Sequence, residues 1–246
     1  MEALAVPRRR SPGRVALIAL GAIVTVGLIG LGAFFLLNIA AEHSFQTTAA
    51  YSNVRTLVVH SGAGDVTLTG ARPGGSLVVT AKEAEGLFKP NIGSRLDGDG
   101  TLTLTAGCPG QLECSVHYEL AVPPDIAVRV SSGFGAIRAA GLTSASTIQL
   151  GTTAGDIHAT GLNAPDIRLS TGLGGLTATL TRPARKLNAS TGAGSINLTV
   201  PDTTYAVHAS SGLGHVSDHS VRNDPTSPRS IDAHSSLGDV TIAVGG

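Results

Sequence analysis

From Asn53 onward, apolar and polar positions alternate along this chain, and seven times the alternation settles into one ten-residue phrase. The phrase reads apolar, any, apolar, any, Ser or Thr, a small residue, then Ala, Phe or Leu, Gly, any, apolar. Its copies are Leu57–Val66, Val128–Ile137, Ile148–Ile157, Ile167–Leu176, Leu187–Ile196, Val207–Val216 and Ile231–Val240. A period of two is the pattern of a strand with one buried face. The glycine of each copy, Gly64, Gly135, Gly155, Gly174, Gly194, Gly214 or Gly238, marks a structural corner where a side chain would obstruct or positive φ is needed. The last six lie 20, 19, 20, 20 and 24 residues apart. That spacing predicts stacked coils, so the expected fold class is all-β, a β-solenoid or β-roll of about 20-residue coils.

Within the phrase the second position is almost always hydrophilic, as an outward row should be: Val58, Arg129, Gln149, Arg168, Asn188, His208 and Asp232. The fifth position is Ser61, Ser132, Thr152, Thr171, Thr191, Ser211 or Ser235 and points inward by strand parity. Stacking sets these hydroxyls in a file about 4.8 Å apart, where they can bond backbone or one another. Ala, Val, Leu and Ile fill the apolar sites, which predicts a narrow core without room for rings. Between Gly64 and the second copy the alternation persists in Ser76–Thr80, Thr101–Leu104 and Val116–Val122, read as the first coils of the same sheets. The Gly- and Pro-bearing stretch Lys82–Asp99 reads as a projecting loop. At the other end Asp239–Val244 is strand-like with no helix to cover it, so it is expected to leave an open edge and to allow self-association through the C-terminal coil. The insertion Arg222–Arg229, with Pro225 and Pro228, is the alternative cover.

Ahead of the repeats the pattern changes. Residues 1–14 form a basic head with Arg8, Arg9, Arg10 and Arg14, and Val15–Leu37 holds no charge across 23 positions. At ~1.5 Å per residue such a helix spans roughly 35 Å, enough for a hydrocarbon core of about 30 Å. Residues 15–37 are therefore expected to form one N-terminal transmembrane helix, with 38–52 a juxtamembrane linker and 53–246 an extracytoplasmic domain. The charge asymmetry predicts an integral, single-pass protein of the cell membrane with its N-terminus cytoplasmic. A cleaved signal peptide is the competing reading. Against it stand the length of the apolar run and the lack of a small-any-small site in Leu37–Ala41.

Charge and composition narrow the ligand classes. Setting aside the four head arginines, Glu2 and Glu42, 13 basic residues face 15 acidic ones from His43 onward. That balance lacks the basic surplus of a nucleic-acid binder. With no Trp and few Tyr or Phe, the stacking platforms for bases or sugars are scarce as well. Cys108 and Cys114 enclose five residues, too wide for a CxxC motif, and in an exported chain they are expected to form one structural disulfide.

No catalytic, cofactor or metal residue stands out. Corner glycines followed by Asp65, Asp156 and Asp239 invite comparison with calcium-binding rolls, but the equivalent positions Ala136, Gly175, Ser195 and His215 break a carboxylate ladder. His208, His215, His219 and His234 cluster late beside Asp218, Asp232 and Asp239. Stacking can place His208 by Asp232 and His215 by Asp239, yet no close ligand spacing appears, and they read as a solvated wall. The glycine phrases lack the Lys-Ser/Thr ending of a nucleotide loop. Arg129 and Arg168 share a row interrupted by Gln149, and nothing beside them indicates an enzyme.

The alternating strand, Val122-Pro123-Pro124 and the repeated Ser/Thr-small-any-Gly-any-apolar copies together resemble the putative-adhesin family of bacterial envelope proteins, a domain of unknown function, over Asn53–Val244. The resemblance implies a β-solenoid or β-roll behind one membrane anchor and supplies no catalytic residues; some relatives belong to envelope-stress systems. The function expected is a non-enzymatic, adhesin-like binding module of the cell envelope, whose partner is an envelope component or another protein. The alternative is a self-associating scaffold or an envelope-stress signalling partner.

Overall fold

The computed structural model describes residues 43–85, 90–107, 115–218 and 220–245. The expected membrane helix, Cys108, Cys114 and His219 lie outside the described residues. Those described contain strands and no helix. In chain order the strands begin with β1 (His43–Tyr51), β2 (Thr56–Ala63), β3 (Val66–Gly70), β4 (Leu77–Glu85), β5 (Asn91–Leu96), β6 (Thr101–Gly107) and β7 (Ser115–Val122). The regular part holds β8 (Ala127–Phe134), β9 (Ile137–Ala140), β10 (Thr147–Ala154), β11 (Ile157–Leu162), β12 (Asp166–Leu173), β13 (Leu176–Leu180), β14 (Lys186–Ala193) and β15 (Ile196–Pro201). The chain continues through β16 (Thr204–Leu213), β17 (Val216–Ser217), β18 (Arg222–Asn223), β19 (Ser230–Leu237) and β20 (Val240–Gly245).

Each phrase supplies one strand to each of two sheets, with the glycine at the corner between them. The first sheet runs β1-β4-β7-β3-β9-β11-β13-β15-β20-β17, and the second β18-β16-β19-β14-β12-β10-β8-β2-β6-β5. Neighbouring coils pair in parallel and in register, so that Ile148 stands beside Val128 on one side and Ile167 on the other. Side chains at phrase positions one, three and five turn in: Leu57, Val59, Ile148, Leu150, Ile167 and Leu169 are buried, as are the hydroxyl residues Thr152, Thr171 and Thr191. The second strands complete the core with Val66, Leu68, Ile157, Ala159, Ile196 and Leu198. Burial of each larger aliphatic side chain stabilises by roughly 1.5–3 kcal/mol, and the repeat delivers such contributions coil after coil, smaller where Ala189, Ala209 and Ala233 take the third position.

Spatial order departs from chain order at both ends. The β2–β3 coil lies between β6–β7 and β8–β9, and the β19–β20 coil between β14–β15 and β16–β17. The C-terminal strand is therefore not the open edge that Asp239–Val244 was expected to form. β20 pairs with β15 along Val240–Gly245 and with β17 at Val240 and Thr241. The edge belongs instead to β16, and the Arg222–Arg229 insertion folds over its beginning. There β18 pairs with Thr204 and Tyr205, Asn223 Oδ1 accepts from the Val207 amide, and Ser227 donates to the Thr204 carbonyl.

Other expectations need correcting. Lys82–Asp99 is not one projecting loop, since Lys82–Glu85 extends β4 and Asn91–Leu96 pairs antiparallel with β6. The stretch expected as a linker contains β1, which pairs antiparallel with β4. Rings do enter the core. Tyr118 and Tyr205 are fully buried in the coils at the two ends, each satisfying its hydroxyl on a carbonyl, Thr105 and Pro201 respectively. Burial pushes the Tyr118 phenol up to about 12.

Candidate functional site

The corner is where the repeat places most of its polar chemistry, and the fold consumes it. At Gly155, φ is +151° and an added Cβ would lie 2.1 Å from the Gly135 carbonyl oxygen on the coil below. Gly194 stands likewise over Gly174, at 2.0 Å. The fifth-position hydroxyls reach those same carbonyls: Thr152 donates to Gly135 (3.1 Å), Thr171 to Gly155 (2.8 Å), Thr191 to Gly174 (3.0 Å), Ser235 to Gly194 (2.9 Å) and Ser211 to Gly238 (2.8 Å). Ser61 and Ser132, in the coils nearer the N-terminal end, have buried hydroxyls with no partner among the described residues. Thr171→Val should therefore cost about 1–2 kcal/mol, whereas Ser132→Ala should be neutral or slightly stabilising. Urea midpoints at constant slope test the contrast, and equal losses in both variants would discard it.

The corner carboxylates have a similar task. Asp65 accepts from the Ala136 amide (2.9 Å), Asp156 from the Gly175 amide (2.7 Å) and Asp239 from the His215 amide (2.8 Å). Each clamps the equivalent residue of the adjacent coil, and Ser195 Oγ takes the same place under the Asp239 amide at 3.3 Å. Burial pulls the Asp65 carboxyl up, but the Ala136 amide and the Arg138 guanidinium outweigh it and hold the group below the usual range. Arg138 is paired with Asp65 at 2.8 Å.

Three of the late histidines each meet a different side chain on the adjacent coil. His208 faces Asp232 and His215 faces Asp239, each at 3.6 Å, while His234 shares a hydrogen bond with Ser210 at 2.9 Å. His208, Asp232, His215 and Asp239 all face solvent, and among the described residues no three ligating side chains converge.

Concavity and charge coincide on the outer face of the second sheet. Arg129, Gln149 and Arg168 form one row across β8, β10 and β12, and Thr147, Asp166 and Lys186 form the next row across β10, β12 and β14. Together they line a groove of ≈ 310 Å³. Its only carboxylate, Asp166, is bound by Arg185 at 2.5 Å. Arg129, Arg168 and Lys186 hold no carboxylate among the described residues, in contrast to Lys82, Arg95, Arg138, Arg185 and Arg222. The Arg row was legible in the phrase. Thr147, Asp166 and Lys186 escaped notice because they precede it by one residue.

Position seven forms a further line. In register run Ala63, Phe134, Ala154, Leu173, Ala193, Leu237 and Leu213. Phe134 is 60% exposed, Leu173 61% and Leu213 71%. Strand parity would bury them, but the chain has begun its corner and turns them out. Alanines separate Phe134, Leu173 and Leu237, while Leu237 and Leu213 stand side by side on β19 and β16.

The chain is similar to the crystal structure of a putative cell adhesion protein from Clostridium sporogenes ATCC 15579, at 14% identity and a TM-score of 0.49, over 83% of this chain and 100% of that one. It is also similar to a putative adhesin from Bacteroides fragilis NCTC 9343, at 12% identity and a TM-score of 0.41, over 82% and 97%. No curated protein matches the sequence. The Toastrack DUF4097 profile matches residues 38–244, nearly all of the repeat-bearing chain, and the protein belongs to that family of unknown function.

Proposed function

We propose that this protein is an adhesin-like, non-enzymatic binding module of the bacterial cell envelope, anchored in the membrane by Val15–Leu37 and carrying its solenoid outside the cytoplasm. The observation that carries the reading is the groove on the outer face of the second sheet, where partner-free cations and hydroxyl and amide groups are held in rigid rows while the polar groups of the corners are committed to the fold. A charged surface on paired strands suits recognition of an extended ligand, since the backbone is already ordered and only side chains lose freedom on binding. The uncharged stretch of 23 residues behind a basic head supports the anchor and its orientation. The adhesin-like label follows the names of the similar structures.

Cosedimentation of residues 43–246, a compact unit without the proposed anchor, with cell-wall sacculi and with lipid vesicles, across a concentration series, tests the reading. Saturable pelleting with one of them is the expected result and identifies the ligand class. Absence of pelleting with both would overturn envelope binding.

A second reading, a self-associating scaffold, is favoured by the β16 edge. Val207, Ala209 and Ser211 are half-buried there, where the equivalent Ile231, Ala233 and Ser235 are buried, and the edge from His208 to Leu213 carries neither Lys nor Pro to discourage pairing. Concentration-dependent light scattering would separate the two readings, because a strict monomer leaves the scaffold without support.

A further inference from the structure

We infer that the groove of Arg129, Gln149, Arg168 and Lys186 is the binding site for a linear polyanion, laid across the strands along the stacking direction. This rests on the binding-module reading and gives it a site and a ligand chemistry. Three positive groups line the groove, and the only negative one is neutralised by Arg185. The described chain is otherwise slightly acidic, so the surplus is local, and attraction of an anion is a property of this face and not of the whole molecule. The outer row of the first sheet offers no such surplus: Thr67, Arg138, His158, Thr177 and Asn197 follow one another there, and the arginine is already paired with Asp65.

Geometry sets the form of the ligand. Arg129 and Arg168 stand two coils apart, about 10 Å on the usual strand spacing of ~4.8 Å, and Lys186 follows on the next coil. A single small anion cannot use all three. A chain carrying anionic groups at intervals can, meeting a guanidinium at each end of the row and the Gln149 amide and Thr147 hydroxyl between them. Guanidinium forks match phosphate and carboxylate oxygens in two-point contacts, and both anions share this chemistry. The scarcity of aromatic platforms leaves charge and hydrogen bonding as the means of recognition.

The test is fluorescence anisotropy of labelled inorganic polyphosphate with the full-length chain in detergent, repeated with polygalacturonate as the carboxylate polymer and with neutral dextran. Wild type should bind at least one polyanion and not dextran, and binding should weaken as salt is raised. Arg129→Gln and Arg168→Gln should each weaken it about tenfold, and the double variant more, since a hydrogen bond to a charged group is worth about that factor. Arg72→Gln removes the same charge from an exposed position outside the groove and should leave affinity unchanged. Both groove arginines are exposed on the outer face, and unchanged urea midpoints confirm intact folding. Wild-type affinity in the double variant, an equal loss in Arg72→Gln, or equal binding of dextran would each overturn the inference. Sacculus pelleting of the same variants separates it from the broader reading. If the double variant still pellets with sacculi, the module binds elsewhere and only the groove fails. If wild type pellets with neither sacculi nor vesicles yet binds polyanion through the arginines, envelope binding fails and the groove stands.

Discussion

Gly155→Ala is expected to destabilise the fold by about 3 kcal/mol or more, although it adds a single methyl group. Two costs combine. At φ +151° an L side chain is strained, by roughly 1–3 kcal/mol. The added Cβ also falls 2.1 Å from the Gly135 carbonyl oxygen and 2.6 Å from its carbon, so the two coils must separate. That opening would stretch the Thr171 bond to Gly155 and loosen the Thr152 bond to Gly135, which makes the cost exceed the strain alone. Gly141 has φ +64° with nothing within 4 Å of an added Cβ, and Gly98 has open space without positive φ. Gly141→Ala should therefore show only backbone strain, of about 1–2 kcal/mol, and Gly98→Ala almost nothing. Urea unfolding of the three variants separates clash from strain, and the argument fails if Gly155→Ala unfolds at the same midpoint as Gly141→Ala.

Ending the chain at Arg229 should abolish cooperative folding of the C-terminal coils. In a solenoid stacked in chain order, losing the last coil removes one interface. Here the β19–β20 coil is sandwiched, so its removal strips β14–β15 of a neighbour and leaves β16–β17 without its parallel partner. Ile231, Val240 and Ile242 are each buried to within 1%. At roughly 1.5–3 kcal/mol apiece their loss alone approaches the whole stability of an ordinary domain, about 5–15 kcal/mol. Hydrogen exchange should show β16 unprotected and β8–β11 still protected. A truncated chain that keeps the full-length midpoint and slope would refute this dependence.

Much of the cross-section can be read from the phrase, because burial alternates with strand parity: Leu57, Val59 and Ser61 in, Val58 and His60 toward solvent. The corner was legible as well, since only glycine combines small size with positive φ. Coil order was not, and the reason is the repeat itself. Every copy of the phrase offers its neighbours two apolar side chains, a hydroxyl and a glycine, so Leu187 can stack on Ile231 as well as on Val207. The 24-residue gap before Gly238 was the one irregularity pointing to the insertion. The buried tyrosines escaped for a related reason. A core width inferred from the regular coils does not hold at the ends, where Tyr118 and Tyr205 fill space that no further regular coil occupies. Of the groove, the arginine row followed from the phrase, but its second row and the neutralisation of Asp166 by Arg185 depend on how adjacent coils align.

The sandwiched coil also sets a timetable. During synthesis β16 and β17 emerge before Ser230–Gly245 exist, so their partners are not yet made, and the exposed faces of β14 and β15 offer the nearest substitute. Correct assembly requires those faces to stay open, or to be reopened, until the later residues arrive. Local, sequential coil addition is fast because each step closes a short loop, whereas this step joins β14 to a strand more than forty residues downstream. This late insertion and the pairing of β2 with β8, 71 residues downstream, are therefore the steps expected to be slow, with an aggregation-prone interval before each.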